Sequence, residues 1–211
     1  MYSFSQVEEV GLTNNFPIEQ LVLLSDSKPF GIFREKWTER WWIWLHGIPK
    51  PTNPANDSTG ANCARNQIDP NIWFLAGTLG GIVKRECVIL EKAILFPIIN
   101  SVHLLAESCF KSEAELDAKV SSEADNVKDM SVAIDGLQLS DLKKHRVHTR
   151  PFDVTLPEDN IWEKKSGPTR AAADGYWIFL KPLSPGRHTI KFFGSDLDGF
   201  ETGVTYDLMV K

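Results

Sequence analysis

The spacing of hydrophobic positions first predicts a tryptophan-rich α-helix near residues 33–46. Apolar side chains recur there every three or four positions, which places them on one face of a helix. This apolar stripe consists of Phe33, Trp37, Trp41, Trp44 and Leu45. Gly47 follows as the expected C-terminal cap, and Pro49 prevents the helix from continuing. We therefore expect the stripe to pack on the core, and Trp42 to lie among charged residues on the opposite face.

Three apolar runs farther along the chain predict β-strands. Residues 72–77 form a continuous apolar run, and residues 82–90 alternate between apolar and polar positions. Residues 93–99 are again apolar, and Pro97 predicts an edge strand or a bulge there, because proline has no N–H to donate to a sheet. The preceding residues 48–70 form a long polar loop, and long loops in compact domains are usually functional or anchored.

The rest of the chain predicts one surface helix and then further strands. Ser112 and Glu115 form a capping box at the start of a weakly amphipathic helix near residues 112–128. From residue 131 onward, short strand-like segments alternate with turn signals. The pattern predicts a mainly β fold, a β-sandwich with Ig-like or jelly-roll connections, an N-terminal tryptophan helix and one inserted surface helix. We expect residues 1–29 to be an irregular leader and residues 30–211 to form a single domain.

The composition is typical of a globular domain, with 42% hydrophobic and 24% charged residues in a chain of 211. The net charge of -5 argues against a nucleic-acid partner, since such proteins usually carry a basic excess. No apolar run reaches the roughly 18 residues that a membrane span requires. The N-terminal stretch lacks the pattern of a signal peptide. A cytoplasmic location follows if the sequence is complete, and an extracellular or cell-surface location if a signal was removed.

The three cysteines leave two interpretations open. Cys63 and Cys87 flank the first predicted strand, at a separation that a sandwich can bridge with a disulfide. Two reduced, buried thiols are the alternative, and they are the usual state inside a cell. Cys109 remains unpaired in either case. The chain shows no Cys/His spacing of a zinc site, so no metal and no cofactor is predicted.

Five residues are the candidates for ligand binding. An exposed indole at Trp42 would stack on a sugar or another flat ligand, or contact a partner protein. Asp57 and Gln67 of the polar loop would supply a carboxylate and an amide, Arg85 a guanidinium and Asn100 a second amide. Together these groups would bind a polar small molecule or an ion. The alternative for Asp57 is an Asx-turn that satisfies its own loop.

A set of motifs resembles a widespread family of uncharacterised bacterial and archaeal proteins. Those proteins show a WW-x-W helix, a D-x-TG-x-x-C-x-x-x-Q loop, a WFLAG-x-x-GG strand, a second cysteine and a GKA-x-x-FP-x-x-N strand. The matching positions here are Trp41, Trp42, Trp44, Asp57, Thr59, Gly60, Cys63, Gln67, Trp73, Cys87, Pro97 and Asn100. Glu91 departs from the pattern, because it replaces the glycine of the usual turn. Many relatives look secreted, so the resemblance implies a disulfide between Cys63 and Cys87, but it implies no particular chemistry.

Three functional hypotheses follow, and the first is favoured. It is a non-enzymatic binding module for a polar small molecule, a carbohydrate or an ion, with the five candidate residues as its site. The second is a hydrolase with Asp57 as base and His103 or His46 assisting. The third is a structural or protein-interaction domain that uses Trp42. Binding is favoured because acid–base catalysis needs a second titrating group near the substrate, and the sequence places none beside Asp57.

Overall fold

The computed structural model describes residues 18–107 and 109–211 of the chain. These residues contain nine strands and two α-helices. The strands are β1 (Ile72–Phe74), β2 (Gly81–Ile89), β3 (Ala93–Leu104), β4 (Val127–Ile134), β5 (Leu137–Gln138), β6 (Arg146–Leu156), β7 (Gly167–Leu180), β8 (Gly186–Asp196) and β9 (Glu201–Val210). The α-helices are α1 (Arg34–His46) and α2 (Glu113–Asp125). Short 3-10 helices occupy Ile18–Gln20, Pro29–Gly31, Lys50–Thr52, Pro54–Asn56 and Leu142–His145. None of the described helices is long and apolar enough to cross a membrane.

The strands form two sheets, which confirms the predicted mainly β sandwich with one early and one inserted helix. The four-stranded sheet has the order β1-β3-β7-β6, and the five-stranded sheet has the order β2-β9-β8-β4-β5. Two pairs are parallel, β1 with β3 and β2 with β9, and the others are antiparallel. Since β1 pairs only with residues 93–95 of β3, the outer edge of β3 beyond Leu95 has no strand partner among the described residues.

Between the two sheets lies a core of aromatic and aliphatic side chains. Phe96 of the four-stranded sheet stacks on Phe192 of the five-stranded sheet, with ring centroids 5.0 Å apart. Ile94, Ile178 and Leu208 are buried in the same cluster. Burying such side chains supplies most of the favourable free energy of folding, at about 25 cal/mol per Å² of apolar surface.

Helix α1 packs on the outer face of the four-stranded sheet and forms a second core there. Trp37, Trp41, Trp44 and Leu45 are buried, as the apolar stripe predicted, whereas Phe33 precedes the helix as its N-cap and is 55% exposed. Each indole N–H donates to a backbone carbonyl outside the helix, those of Pro29, Leu75 and Arg65 respectively. A buried indole N–H usually finds such an acceptor, because leaving it unpaired costs free energy. These three bonds therefore fix the orientation of α1 on the sheet.

Helix α2 covers the other face of the four-stranded sheet, beside the five-stranded sheet. Its start is the predicted capping box, in which the Ser112 Oγ accepts the N–H of Glu115. Its apolar contact is small and consists of Leu116 and Val120 packed on Ala172. Charge pairs add to this attachment, among them Arg146 with Asp125, His148 with Asp117 and Arg170 with Glu113.

Two local predictions are confirmed, and one strand is shorter than predicted. The register of β3 against β7 shifts between Pro97 and Ile99, which is the bulge that Pro97 indicated. Ser112 caps α2 as expected. Strand β1 ends at Phe74 instead of residue 77, because the carbonyls of Ala76 and Gly77 accept hydrogen bonds from a buried arginine side chain instead of a strand. Of the predicted leader, residues 1–17 lie outside the described residues.

Candidate ligand-binding site

The carboxylate of Asp57 satisfies its own loop. Its Oδ1 accepts the N–H and the hydroxyl of Thr59, both at 2.8 Å, and its Oδ2 accepts the N–H of Asn62 at 2.7 Å. Partial burial by itself would raise the pKa of this carboxyl, but the hydrogen bonds from Asn62 and Thr59 hold the pKa below its usual value. This is the Asx-turn alternative, and it corrects the expectation that Asp57 faces a ligand or serves as a base.

The guanidinium of Arg85 is also used inside the protein, and the residue is only 1% exposed. Its Nε donates to the carbonyl of Asp57 at 2.6 Å. Its Nη1 donates to the carbonyls of Ala76 and Gly77, at 2.9 and 3.1 Å, and to the hydroxyl of Tyr206 at 2.8 Å. The side chain therefore ties the polar loop to two strands, and the expectation that it binds a ligand is corrected.

The amide of Gln67 takes the place of a neighbouring strand beside β1. Its Nε2 donates to the carbonyl of Phe74 at 2.8 Å and its Oε1 accepts the N–H of the same residue at 3.0 Å. A further bond from Nε2 reaches the carbonyl of Cys63 at 3.0 Å. All three bonds are structural, so Gln67 does not join a ligand site with Asp57 and Arg85.

Trp42 is buried, with 4% of its surface exposed, so the prediction of an exposed indole is wrong. Its ring lies 4.9 Å from that of Trp41 and stacks at 5.2 Å on that of His46. The segment after β6 covers this face of α1, since Trp162 packs on the same cluster. Helical spacing identified one buried face of α1 but gave no sign of this second cover. The Trp42 Nε1 has no hydrogen-bond partner among the described residues.

His46 lies beneath Trp42 and is fully buried, so it cannot assist a reaction at the surface. Neither of its ring nitrogens makes a well-formed hydrogen bond within the described chain. Burial lowers the pKa of His46 to about 4, an effect that the nearby carbonyl of Trp42 only partly offsets. The imidazole is consequently neutral throughout the physiological range of pH.

We predict that His46 makes the protein less stable in mild acid. The unfolded chain binds a proton at His46 below a pKa of 6.5, whereas the folded protein binds it only near 4. The stabilising contribution is therefore complete above 6.5 and is lost as pH falls from 6.5 to 4, by about 3 kcal/mol for a shift of this size. Urea unfolding at intervals across this window, compared with His46→Phe, should show a shallower pH slope in the variant. Equal slopes in the two proteins would contradict the assignment.

An open cleft of about 430 Å³ runs along the unpaired edge of β3. Eight parts of the chain line it: α1, the segment after β1, β3, the end of α2, the start of β4, the segment after β6, β7 and the turn between β8 and β9. The lining residues are Trp42, Thr78, Leu79, Ile99, Asn100, Ser101, Val102, His103, Glu123, Ala124, Val127, Trp162, Asp174, Gly175, Asp196, Asp198 and Phe200. Of the five predicted ligand-binding residues, the structure brings Trp42 and Asn100 together here.

Asn100 is the predicted site residue whose surroundings fit a ligand best. Its amide Nδ2 is buried and has no acceptor among the described residues. Gly175 lies opposite it on β7, and a Cβ there would come within 2.5 Å of the Asn100 Cα. The two strands therefore approach closely at the floor of the cleft. A buried donor without an acceptor is rare in folded proteins, so each one calls for a partner.

One wall of the cleft carries a histidine–carboxylate cluster. The Nε2 of His103 lies 3.0 Å from Oε2 of Glu123, and its Nδ1 lies 3.3 Å from Oε2 of Glu107. Ser101 donates to Glu123 as well. The hydrogen bond to Glu123 raises the pKa of His103. Burial would raise the pKa of Glu123, but hydrogen bonds from His103, Ser101 and Lys119 lower it to about 2.

The carboxylate of Asp174 lies under the cleft and is almost fully buried. The Nη2 of Arg146 donates to it at 2.8 Å, and the Nδ1 of His148 lies 3.2 Å away. The N–H of Gly175 donates to the same carboxylate at 2.7 Å. Paired in this way, Asp174 stabilises the packing of β6, β7 and α2 and leaves its charge largely compensated.

At the mouth, the turn between β8 and β9 brings two further carboxylates. Asp196 accepts the N–H groups of Asp198 and Phe200, both at 2.9 Å, which shapes the turn. Asp198 accepts the side-chain amide of Asn126 at 2.7 Å. Neither Asp196 nor Asp198 forms an ion pair with any residue in the described ranges. This end of the cleft therefore has an excess of negative charge.

A second groove, of about 460 Å³, crosses β2, β8 and β9. None of its lining residues has a buried polar atom without a partner. The described residues also contain no group of three or more His, Cys, Asp or Glu side chains that could hold a metal ion. The cleft along β3 is consequently the better candidate site. Comparison of the chain with models of known protein families, with curated proteins and with solved structures finds no match.

Proposed function

We propose that the protein binds a small polar organic molecule in the cleft along β3, without transforming it. The observation that supports this proposal best is the buried amide of Asn100, which lines the cleft and lacks an acceptor. Aromatic side chains and carboxylates are among the other residues that line the cleft. A concave, partly apolar pocket with a few converging polar groups is the usual form of a small-molecule site.

The hydrolase hypothesis loses its proposed base, because Asp57 satisfies its own loop. The cleft does contain a histidine beside a carboxylate, but the two groups are paired with each other, which occupies the Nε2 of His103. Glu123, with a pKa of about 2, is a poor proton acceptor, and the raised pKa of His103 favours an ion pair between the two. The interaction-domain hypothesis also loses its basis, since Trp42 is buried. Binding is therefore the function that we propose.

We predict that Asn100→Leu abolishes ligand binding while the free protein keeps its stability. The Asn100 side chain makes no hydrogen bond to a described residue, and leucine has nearly the same shape, so removing an unsatisfied donor is neutral or slightly stabilising. The measurement is thermal unfolding with a panel of sugars, amino acids, organic amines and carboxylates. At least one of these classes should raise the melting temperature of the wild-type protein, and Asn100→Leu should lose that rise.

The matched control is Asn71→Leu, an exposed asparagine outside the cleft, which should respond as the wild-type protein does. Two results would contradict the proposal. In the first, no class of compound stabilises the wild-type protein. In the second, Asn100→Leu unfolds at a markedly lower temperature without any added compound, because the amide would then serve the fold.

A further inference from the structure

The charges that line the cleft are almost all negative. They comprise the carboxylates of Glu123, Asp174, Asp196 and Asp198 and the imidazole of His103, with no lysine or arginine among the lining residues that the structure describes. Lys119 and His103 compensate Glu123, and Arg146 compensates Asp174. The carboxylates of the β8–β9 turn form no ion pair within the described residues, and Lys119 interacts with Asp198 only at longer range. A concave surface with one excess sign of charge concentrates ligands of the opposite sign.

Aromatic side chains line the same cleft. The rings with exposed surface are half-buried Trp162, in the segment after β6, and Phe200, which follows the acidic turn, whereas Trp42 is buried behind Trp162. Exposed Leu79 completes this apolar side. The face of an aromatic ring attracts a cation, because its quadrupole places negative charge above the ring. The cleft thus combines two features that favour an ammonium group with an apolar body.

A third, independent feature is a set of donors that lack acceptors. The Nε1 of Trp42, which is 4% exposed, and the Nδ2 of Asn100 are both buried and unpartnered among the described residues. The Nε1 of Trp162 is in the same state. All of these groups only donate hydrogen bonds, and none of the carboxylates that line the cleft is their partner. A ligand that fits must also bring an oxygen acceptor, such as a hydroxyl or carbonyl group.

We propose that the ligand of this cleft is an organic cation, a small amine or quaternary ammonium compound that carries a hydroxyl or carbonyl oxygen; this rests on the proposed binding function. Its cationic group lies at the end that Asp196 and Asp198 make negative, against the aromatic side chains. Its oxygen accepts from the unpartnered donors near Asn100.

The test compares choline with dimethylbutanol, its neutral isostere in which carbon replaces the charged nitrogen. The two compounds share shape and hydroxyl group, so their difference in affinity measures the contribution of charge. Isothermal titration of the wild-type protein at low salt should show choline binding at least about tenfold tighter, a ratio that corresponds to about 1.4 kcal/mol. Added salt should reduce the ratio, because the carboxylates at the mouth are exposed to solvent.

Asp198→Asn identifies where the cation lies. The amide oxygen of the variant can still accept the hydrogen bond from Asn126, so the turn is retained while one negative charge is removed. Choline affinity should fall about fivefold, a typical effect of one partly screened charge, and dimethylbutanol affinity should stay the same. Asp26→Asn removes the same charge from an exposed position outside the cleft and should change neither affinity.

Three outcomes would overturn the inference of a cationic ligand. Equal affinity for choline and dimethylbutanol would show that charge is not recognised. Absence of choline binding, when neutral sugars or carboxylates stabilise the protein in the thermal panel, would leave the binding function intact but assign it another ligand. An equal loss of choline affinity in Asp198→Asn and Asp26→Asn would show only a general effect of net charge. Failure of every compound in the panel would instead reject the binding function itself.

Discussion

Replacing Arg85 with methionine should destabilise the protein by about 4 kcal/mol, because several buried oxygen atoms would lose their donor. The guanidinium donates to the carbonyls of Asp57 and Gly77, and to the hydroxyl of Tyr206. Methionine fills much of the same volume but donates nothing. Water cannot replace the lost donors at this position, since the residue is 1% exposed. Each buried acceptor without a partner costs about 1–3 kcal/mol.

The measurement is urea unfolding followed by tryptophan fluorescence. Arg187→Met is the matched control, because it makes the same substitution at an exposed position, and it should change the free energy of unfolding by less than about 0.5 kcal/mol. Arg85→Lys should fall between the wild-type protein and Arg85→Met, since an ammonium retains some of the donors. If Arg85→Met were as stable as the control variant, the hydrogen bonds of Arg85 would not hold the loop.

Loss of the disulfide between Cys63 and Cys87 should cost about 3.5 kcal/mol, the chain-entropy estimate for a bridge across 24 positions. The structure confirms this disulfide. The bridge constrains the unfolded chain, so its effect appears only while it is oxidised. Cys63→Ser should therefore lower the melting temperature under oxidising conditions, and reductant should bring the wild-type protein close to the variant. Cys109→Ser, at an exposed free thiol, is the control.

An equal difference between the wild-type protein and Cys63→Ser with and without reductant would contradict this prediction. The loss would then come from the packing of the buried sulfur atom and not from the bridge.

Arg85 and Cys87 lie two residues apart on β2, and successive side chains of a strand alternate between faces, so both point to the same side. Together they hold the polar loop of residues 48–70 against the sandwich, which explains how so long a loop stays ordered.

Local chemistry determined much of the fold. The three-to-four-residue spacing of large apolar side chains predicted α1, and Gly47 marked its end. Pro97 predicted the bulge in β3, because a residue without an N–H interrupts a sheet wherever it occurs. Ser112 and Glu115 predicted the start of α2. These features depend on neighbours within a few residues, so the sequence displays them directly.

The candidate site could not be predicted in this way. Its lining comes from eight separate parts of the chain, so no spacing along the sequence brings Asn100 into one cleft with Trp162 and Asp198. The sequence allowed the carboxylate of Asp57 either to face a ligand or to form an Asx-turn. Only the position of the loop beside β2 showed that it forms the Asx-turn. The amide of Gln67 and the guanidinium of Arg85 can hydrogen-bond either to a ligand or to backbone groups of the protein. In the folded chain both side chains bond to backbone groups.

Trp42 shows most clearly the difference between what the sequence determines and what the tertiary structure decides. The sequence alone determined that this position lies on the face of α1 opposite the apolar stripe, which indicated exposure to solvent. Only the tertiary structure brought Trp162 over that face and buried the indole. The sequence by itself determined most of the elements and the sandwich that they form, because these follow from backbone geometry and the burial of apolar surface. The tertiary structure alone decided which polar groups were left without partners, because hydrogen bonding inside a protein depends on residues far apart in the chain.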